Sequence, residues 1–245
     1  SQSFVMGNGG FVQHPEVVGM MDDEYPQLIE KPFDFLVETV IPRQHKNLDP
    51  QNPIKMATAI QMGKLALQND EMAFLPTFFE LIQTHGYYPG SPLGSFNFTE
   101  APLDFIADQL RSFSGISMDV RRHKTQLQEA AAAVMPLLYH WGLPGNIDAQ
   151  GSVFIPLHMR TFMREKDFVE IYLPSYKTML QQFAAVGARP NMFCEHDWSR
   201  YLDILLSEIP AGCQLAFEYG DPQTIKDTLG KNFLLTGLSP SASLK

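Results

Sequence analysis

Cysteines, basic residues and long apolar runs are all scarce in this sequence of 245 residues. Its two cysteines are too few for a disulfide framework and indicate a reducing compartment, which predicts a cytoplasmic protein. No stretch of roughly 18 apolar residues occurs, so the sequence predicts no membrane span. The 18 basic residues are outnumbered by 27 acidic ones, and the net charge of −9 argues against nucleic acid as a partner.

Apolar residues nevertheless make up 44% of the chain, including 18 Phe and 12 Met, so a substantial core can form. The first third is predicted to be helical. Apolar residues recur at helical spacing over 54–68 and 71–84, and Asn69-Asp70 separates these two predicted helices. No segment in this third has a good strand pattern.

After residue 86 the pattern changes to short apolar runs that alternate with amphipathic stretches. Such alternation is typical of a parallel sheet flanked by helices, and here its spacing favours a (β/α)8 barrel of the α/β class. The predicted strands are 93–98, 152–158, 191–196, 215–219 and 233–237. The predicted helices are 101–112, 125–141, 165–186, 198–207 and 222–229.

The number of strands is too small for a complete barrel, which needs eight strand–helix units in roughly 250 residues. We therefore expect one domain over 1–245, with a mostly helical part over 1–90 and β/α repeats over 91–245. Either strands are hidden in the helical part, or the chain is a fragment that lacks N- and C-terminal parts of the barrel.

Four stretches of the sequence carry a resemblance to a known family. They are 94–111, which contains Ala101-Pro102, then 117–121, 155–158 leading into 168–174, and 221–237. Together they resemble the uroporphyrinogen decarboxylase superfamily, which includes corrinoid-linked methyltransferases. The resemblance extends over about residues 15–245, and its motifs keep the order and spacing of that family.

This resemblance implies a barrel whose cleft holds a tetrapyrrole or a methyl-carrying relative, and it leaves two enzyme functions open. One is methyl transfer with a corrinoid protein as partner. The other is decarboxylation of a porphyrinogen, which is disfavoured because Asp108 stands where decarboxylases place a tyrosine. A barrel that binds a ligand without catalysis is a third alternative. The oligomeric state stays open, with a homodimer among the alternatives.

Polar residues at the ends of consecutive predicted strands are the candidate catalytic residues, because barrel enzymes place their chemistry at the carboxyl ends of strands. They are His158, Glu195, His196 and Asp221. We expect His158, either Glu195 or His196, and Asp221 to surround one pocket. Each has a structural alternative: His158 could bind a backbone carbonyl, and Asp221 could cap the helix that begins at Pro222.

Cys194 and His196 are the candidate metal ligands, since residues two apart in a strand point to the same side. Zinc methyltransferases of the superfamily carry His-x-Cys at this place, whereas the order here is Cys-x-His. A zinc site needs a third protein ligand, and His158 is the best placed to supply it. Because that ligand would have to reach across from the neighbouring strand, we do not expect bound zinc.

Three further residues are candidates for substrate binding: Asn97, Asp108 and Arg121. The first two lie in the segment that carries the strongest resemblance. Arg121 belongs to a predicted charged turn with Asp119 and Arg122, and arginine there could bind a carboxylate through paired hydrogen bonds. A solvated turn without function is the alternative.

Overall fold

A computed structural model describes most of the chain, and all structural statements below refer to those residues. They are 5–6, 12–13, 18–45, 48–49, 51–86, 95–147 and 151–237. The first two residues of the predicted strand 93–98 lie outside them.

The centre of the structure is a five-stranded parallel sheet in which strand order follows chain order. Its strands are β3 (Phe96–Phe98), β4 (Ser152–Leu157), β5 (Arg189–Asp197), β6 (Gln214–Tyr219) and β7 (Leu234–Gly237). Two short strands, β1 (Val5–Met6) and β2 (Val12–Gln13), pair antiparallel apart from this sheet. The prediction of an α/β protein with a parallel sheet is therefore confirmed, and the sheet is not closed within the described residues.

Helices and helical turns connect the strands and precede them. Before the sheet lie α1 (Tyr25–Glu30), α2 (Pro32–Phe35), a π-helical turn (Leu36–Val40), α3 (Ile41–Gln44) and α4 (Pro53–His85). Between β3 and β4 lie α5 (Pro102–Phe105), a π-helix (Ile106–Arg111), α6 (Ser112–Arg122) and α7 (Lys124–Gly142). The later connections contain 3-10 turns (Met159–Phe162, Ser199–Tyr201), α8 (Glu165–Asp167), a π-helical turn (Phe168–Tyr172), α9 (Leu173–Ala185), α10 (Leu202–Glu208) and α11 (Pro222–Leu229).

The two faces of the sheet differ in burial. On β4 the side chains of Val153, Ile155 and Leu157 are fully buried, and they alternate with partly exposed residues. The partly exposed face carries a row of aromatic rings formed by Phe98, Phe154 and Phe193, with neighbouring ring centroids 6.3 Å apart. Because parallel sheets are usually buried on both faces, this half-open aromatic face is unusual.

A buried ion pair in the region after β3 makes hydrogen bonds to the N-terminal part of the chain. Arg111 donates from Nε to Asp119 Oδ2 at 2.6 Å and from Nη1 to the carbonyl of Met20 at 2.6 Å. The hydroxyl of Tyr25 donates to the same Asp119 oxygen at 2.7 Å. The predicted charged turn at Asp119 and Arg121 is wrong, since both residues lie on α6.

Helix α4 is one helix of 33 residues, so the predicted break at Asn69-Asp70 is wrong. Asn and Asp lower helix propensity by only tenths of a kcal/mol each, which a long helix tolerates. The helix begins where Asn52 Oδ1 accepts from the Lys55 N–H at 3.0 Å, and it ends at Gly86, whose φ is +69°. Its large apolar side chains at Ile54, Met62 and elsewhere are exposed. No described helix is both long and apolar enough to cross a membrane.

Candidate functional site

His158 lies at the centre of a cluster of ionisable groups at the carboxyl end of β4. Its Nδ1 is 2.8 Å from Asp108 Oδ2, and its Nε2 is 3.2 Å from Glu195 Oε1. The His158 side chain is 36% exposed, so the ring is reachable from solvent while both of its nitrogens are engaged. We refer to Asp108, His158 and Glu195 as the His158 triad.

Three different elements position the triad. His158 directly follows β4, and Glu195 is near the end of the adjacent strand β5, where Leu157 pairs with Cys194. Asp108 lies in the π-helix Ile106–Arg111 that follows β3 and α5. Single π-turns inside helices are common at functional sites. The carboxyl ends of parallel strands meet at one edge of the sheet, which is why residues distant in sequence come together here.

The triad holds His158 in its protonated form at neutral pH. Burial alone would lower the pKa of the imidazole, but its contacts with Asp108 and Glu195 outweigh burial and raise that pKa to about 11. An imidazolium between two carboxylates is a charge-assisted arrangement in which each ring N–H donates to one oxygen. His158 therefore keeps its proton at neutral pH and is not available as a free base.

Asp104 is a buried carboxylate beneath the triad that the sequence analysis did not single out. Its Oδ1 accepts from the Met159 N–H at 2.7 Å, and its Oδ2 accepts from the Tyr172 hydroxyl at 2.5 Å. Burial raises its pKa to about 7, against the opposing effects of His158 and Tyr172. Because Asp104 fixes the backbone immediately after His158, it positions the triad from below.

Glu100 is a second buried carboxylate that the sequence analysis missed. Its Oε1 accepts from Gln109 Nε2 at 3.0 Å, whereas its Oε2 is buried without a hydrogen-bond partner among the described residues. Burial, followed by the nearby charge of Asp108, raises its pKa to about 7. Glu100, Asp104 and Asp108 are spaced by four residues at a predicted helix start, and this spacing was the available signal.

Cys194 and His196 do not form a metal pair in this structure. Cys194 is fully buried, and burial raises the pKa of its thiol. His196 is exposed with a φ of +59°, and the pairing of β5 with β6 is irregular between Cys194 and Asp197. The alternation from which we expected a shared face therefore ends before His196.

The third ligand considered for zinc, His158, is occupied by the triad. Among the described residues, no group of three or more His, Cys, Asp or Glu side chains is arranged so that it could hold a metal ion. That no zinc is bound remains a prediction. Metal analysis of wild-type protein and of Cys194→Ser tests it, and about one zinc per chain that is lost in the variant would contradict it.

The remaining candidates lie away from the triad. Asp221 caps α11, since its Oδ2 accepts from the backbone N–H of Thr224 at 2.8 Å. Asn97 Nδ2 donates to the carbonyls of Trp141 and Leu143, so its amide joins β3 to the end of α7. Arg121 is exposed and lines a separate cavity of about 340 Å³. The structure thus brings together His158, Glu195 and Asp108, and it shows no contact between them and Asp221.

Arg160 lies close to the triad in sequence and is fully buried, yet its three guanidinium nitrogens have no hydrogen-bond partner among the described residues. Its guanidinium carbon lies 4.9 Å from the ring centroid of Trp198 and 5.4 Å from that of Phe168. Burial lowers its pKa to about 9. A buried arginine normally pairs with an anion; here the faces of aromatic rings surround the guanidinium group instead.

Comparison with known proteins identifies no relative of this chain. No protein-family model matches the chain, no curated protein matches it, and no solved structure matches it. The site must therefore be interpreted from its own geometry and from the resemblance described above.

Proposed function

We propose that this chain is a barrel-type enzyme of the uroporphyrinogen decarboxylase superfamily that works as a methyltransferase component with a corrinoid protein. The observation that carries the proposal is the His158 triad at the carboxyl edge of an all-parallel sheet. Enzymes with (β/α) barrels place their reacting groups at this edge. The five sequential strands are compatible with part of such a barrel.

The triad suits the proton transfer that accompanies methyl transfer from a heteroatom. When a methyl group leaves oxygen, nitrogen or sulfur, that atom keeps the bonding electron pair and is stabilised by a proton. His158 can supply this proton from Nε2, which has the longer of its two contacts. Asp108 holds Nδ1 at 2.8 Å and keeps the ring oriented. A corrinoid carried by the partner protein would accept the methyl group.

The partly exposed face of the sheet could pack against a flat macrocycle, which supports a corrinoid as the partner's cofactor. Phe193 and Glu195 are two residues apart on β5, and Phe154 and His158 are four residues apart at β4, so the aromatic row leads to the triad on one face. Rings of this kind pack well against a flat apolar surface. Phe98, Phe154 and Phe193 are therefore the residues that would contact the cofactor of a docked corrinoid protein.

The charges of the site disfavour porphyrinogen decarboxylation. A porphyrinogen carries many carboxylates, which need cationic partners. Here His158 is the one cation of the triad, and the substrate would also meet the carboxylates of Asp108, Glu195 and Glu218. Arg160, the buried arginine near the triad, is enclosed by aromatic rings.

The test is methyl transfer to a reduced corrinoid protein, followed by its visible absorption spectrum. Methanol, trimethylamine, a methoxybenzoate and methanethiol serve as donors with oxygen, nitrogen and sulfur leaving atoms. We expect one donor class to methylate the corrinoid in the presence of the chain. His158→Gln is expected to lower the rate about 100-fold or more, because it removes the proton donor. His140→Gln, at an exposed histidine of α7, is the matched control and should keep the wild-type rate.

Two outcomes would overturn the proposal. Release of carbon dioxide from uroporphyrinogen by the chain would identify a decarboxylase. A folded wild-type protein that methylates the corrinoid from none of the four donors, or a His158→Gln variant as active as His140→Gln, would remove the role assigned to the triad.

A further inference from the structure

A cavity of about 500 Å³ lies beside the triad, between the N-terminal helices and the helices that follow β3. A cavity of this size accepts a small organic molecule. Its wall is almost entirely apolar, with aromatic rings at one side. The lining residues are Leu36, Val40, Ile41, Gln44, Phe98, Glu100, Phe105, Gln109, Leu110 and Trp141.

The polar side chains near this wall bond to one another, and one buried acceptor, Glu100 Oε2, has no partner among the described residues. Gln44 donates from Nε2 to the Gln109 carbonyl at 2.5 Å, and Gln109 donates from Nε2 to Glu100 Oε1. Both amide nitrogens therefore have acceptors. Glu100 is only 7% exposed, and its Oε2 has no partner among the described residues. A buried carboxylate oxygen without a donor is costly, so a donor that reached the Glu100 carboxyl group from the cavity would stabilise it.

We propose that this cavity binds a small molecule with an apolar, preferably aromatic, body and a single protonated amine. The amine pairs with the Glu100 carboxyl group, and the body fills the space between Leu36, Phe98 and Trp141. This inference goes beyond the proposed methyl transfer and does not depend on it.

Charge complementarity selects the amine over other polar groups. The cavity wall contains one carboxyl group and no lysine, arginine or histidine. Asp104 and Asp108 add negative charge near Glu100, which is also why its pKa is raised. This negative charge stabilises a bound cation. The rings of Trp141 and Phe98, whose centroids are 5.8 Å apart, can contact the ammonium group through their faces or pack against the apolar body of the ligand. A carboxylate ligand would be repelled.

The test compares 4-phenylbutylamine with 4-phenylbutanol and 4-phenylbutyrate, which share one apolar body and differ in the head group. Binding to the full chain is measured by calorimetry and by tryptophan fluorescence. We expect the amine to bind at least tenfold more tightly than the alcohol, and the butyrate to bind more weakly than the alcohol. This comparison uses wild-type protein, so it does not require any variant to fold.

Variants then assign the effect to the cavity. In Glu100→Gln the amine and the alcohol should bind within about threefold of each other, because the shape is kept and the charge is removed. Glu30→Gln, at an exposed carboxylate of α1, is the matched control and should behave as wild type. Leu36→Phe should weaken both ligands by filling space. Equal binding of amine and alcohol to wild type, no binding of the amine, or unchanged preference in Glu100→Gln would each overturn the proposal.

Discussion

His158 carries its proton at neutral pH because Asp108 and Glu195 accept from both of its nitrogens, and this makes stability depend on pH. Its folded-state pKa is raised above the unfolded value, so its stabilising contribution is complete below about pH 6.5 and is lost as the pH rises toward 11. One proton changes the free energy of unfolding by at most ~1.4 kcal/mol per pH unit. Solvent around this partly exposed ring screens its ion pairs, which narrows the pH range over which the loss occurs.

The measurement is urea unfolding from about pH 7 to about pH 9, where we expect the wild type to lose about 1–2 kcal/mol. His158→Gln should lose little over the same range, because it has no proton to release. An equal loss in both proteins would show that other groups set the dependence.

Arg160 is a buried cation that packs against aromatic rings and has no hydrogen-bond partner among the described residues, so removing its charge should not weaken the fold. Arg160→Met keeps an unbranched apolar side chain in the same space. We expect its free energy of unfolding to lie within about 1 kcal/mol of wild type or to exceed it by about 1–2 kcal/mol, because the desolvation cost of the guanidinium disappears. Urea unfolding measures this, with exposed Arg121→Met as the control. A loss above about 3 kcal/mol would mean that the ring contacts outweigh desolvation.

The first turn of α11 depends on the side chain of Asp221, which accepts from both the backbone N–H and the hydroxyl of Thr224. Asp221→Ala should lower Tm slightly because the helix loses its N-cap. Asp221→Asn should restore most of the difference, since asparagine also caps helices. Methyl transfer should be unchanged in both variants. A large loss of methyl-transfer activity at unchanged Tm would show that Asp221 has a functional role besides capping the helix.

The alternation of strands and helices was predictable because it depends on local periodicity. The extent of the helices in the first third of the chain was harder to predict. The expected helices 222–229 and 125–141 agree closely with α11 and α7. The expected break in α4 was wrong because Asn69 and Asp70 do not by themselves end a helix, and no local pattern shows whether the neighbouring turns continue.

The candidate site was predictable only in part. The position of His158 and Glu195 at strand ends follows from parallel pairing, and Asp108 came from the family resemblance. Asp104 and Glu100 were missed because their role depends on burial, which the sequence does not give. The shared face expected for Cys194 and His196 failed because the strand becomes irregular at that point.

The N-terminal helices are tied to the rest of the molecule by the hydrogen bonds that Met20 and Tyr25 make with the buried ion pair between Arg111 and Asp119. Asp119→Asn should lower the free energy of unfolding by about 3–5 kcal/mol, because it leaves Arg111 buried without its counterion. The control is Glu208→Gln, which breaks a partly exposed pair with Lys177 and should cost about 1 kcal/mol or less. Chemical unfolding measures both. Equal small losses would show that Met20 and Tyr25 hold this junction without the ion pair.

The sequential strand order has a consequence for how the backbone opens. Within the described residues, each inner strand is bonded on two sides, whereas β3 and β7 are bonded on one side and are three and four residues long. Opening should therefore proceed from the two edges inward, and amide hydrogens should exchange with deuterium fastest in β3 and β7 and slowest in β5. Mass spectrometry of peptides from each strand resolves this gradient. Uniform exchange along the sheet would mean that the five strands open as one unit, with every register lost in a single cooperative step.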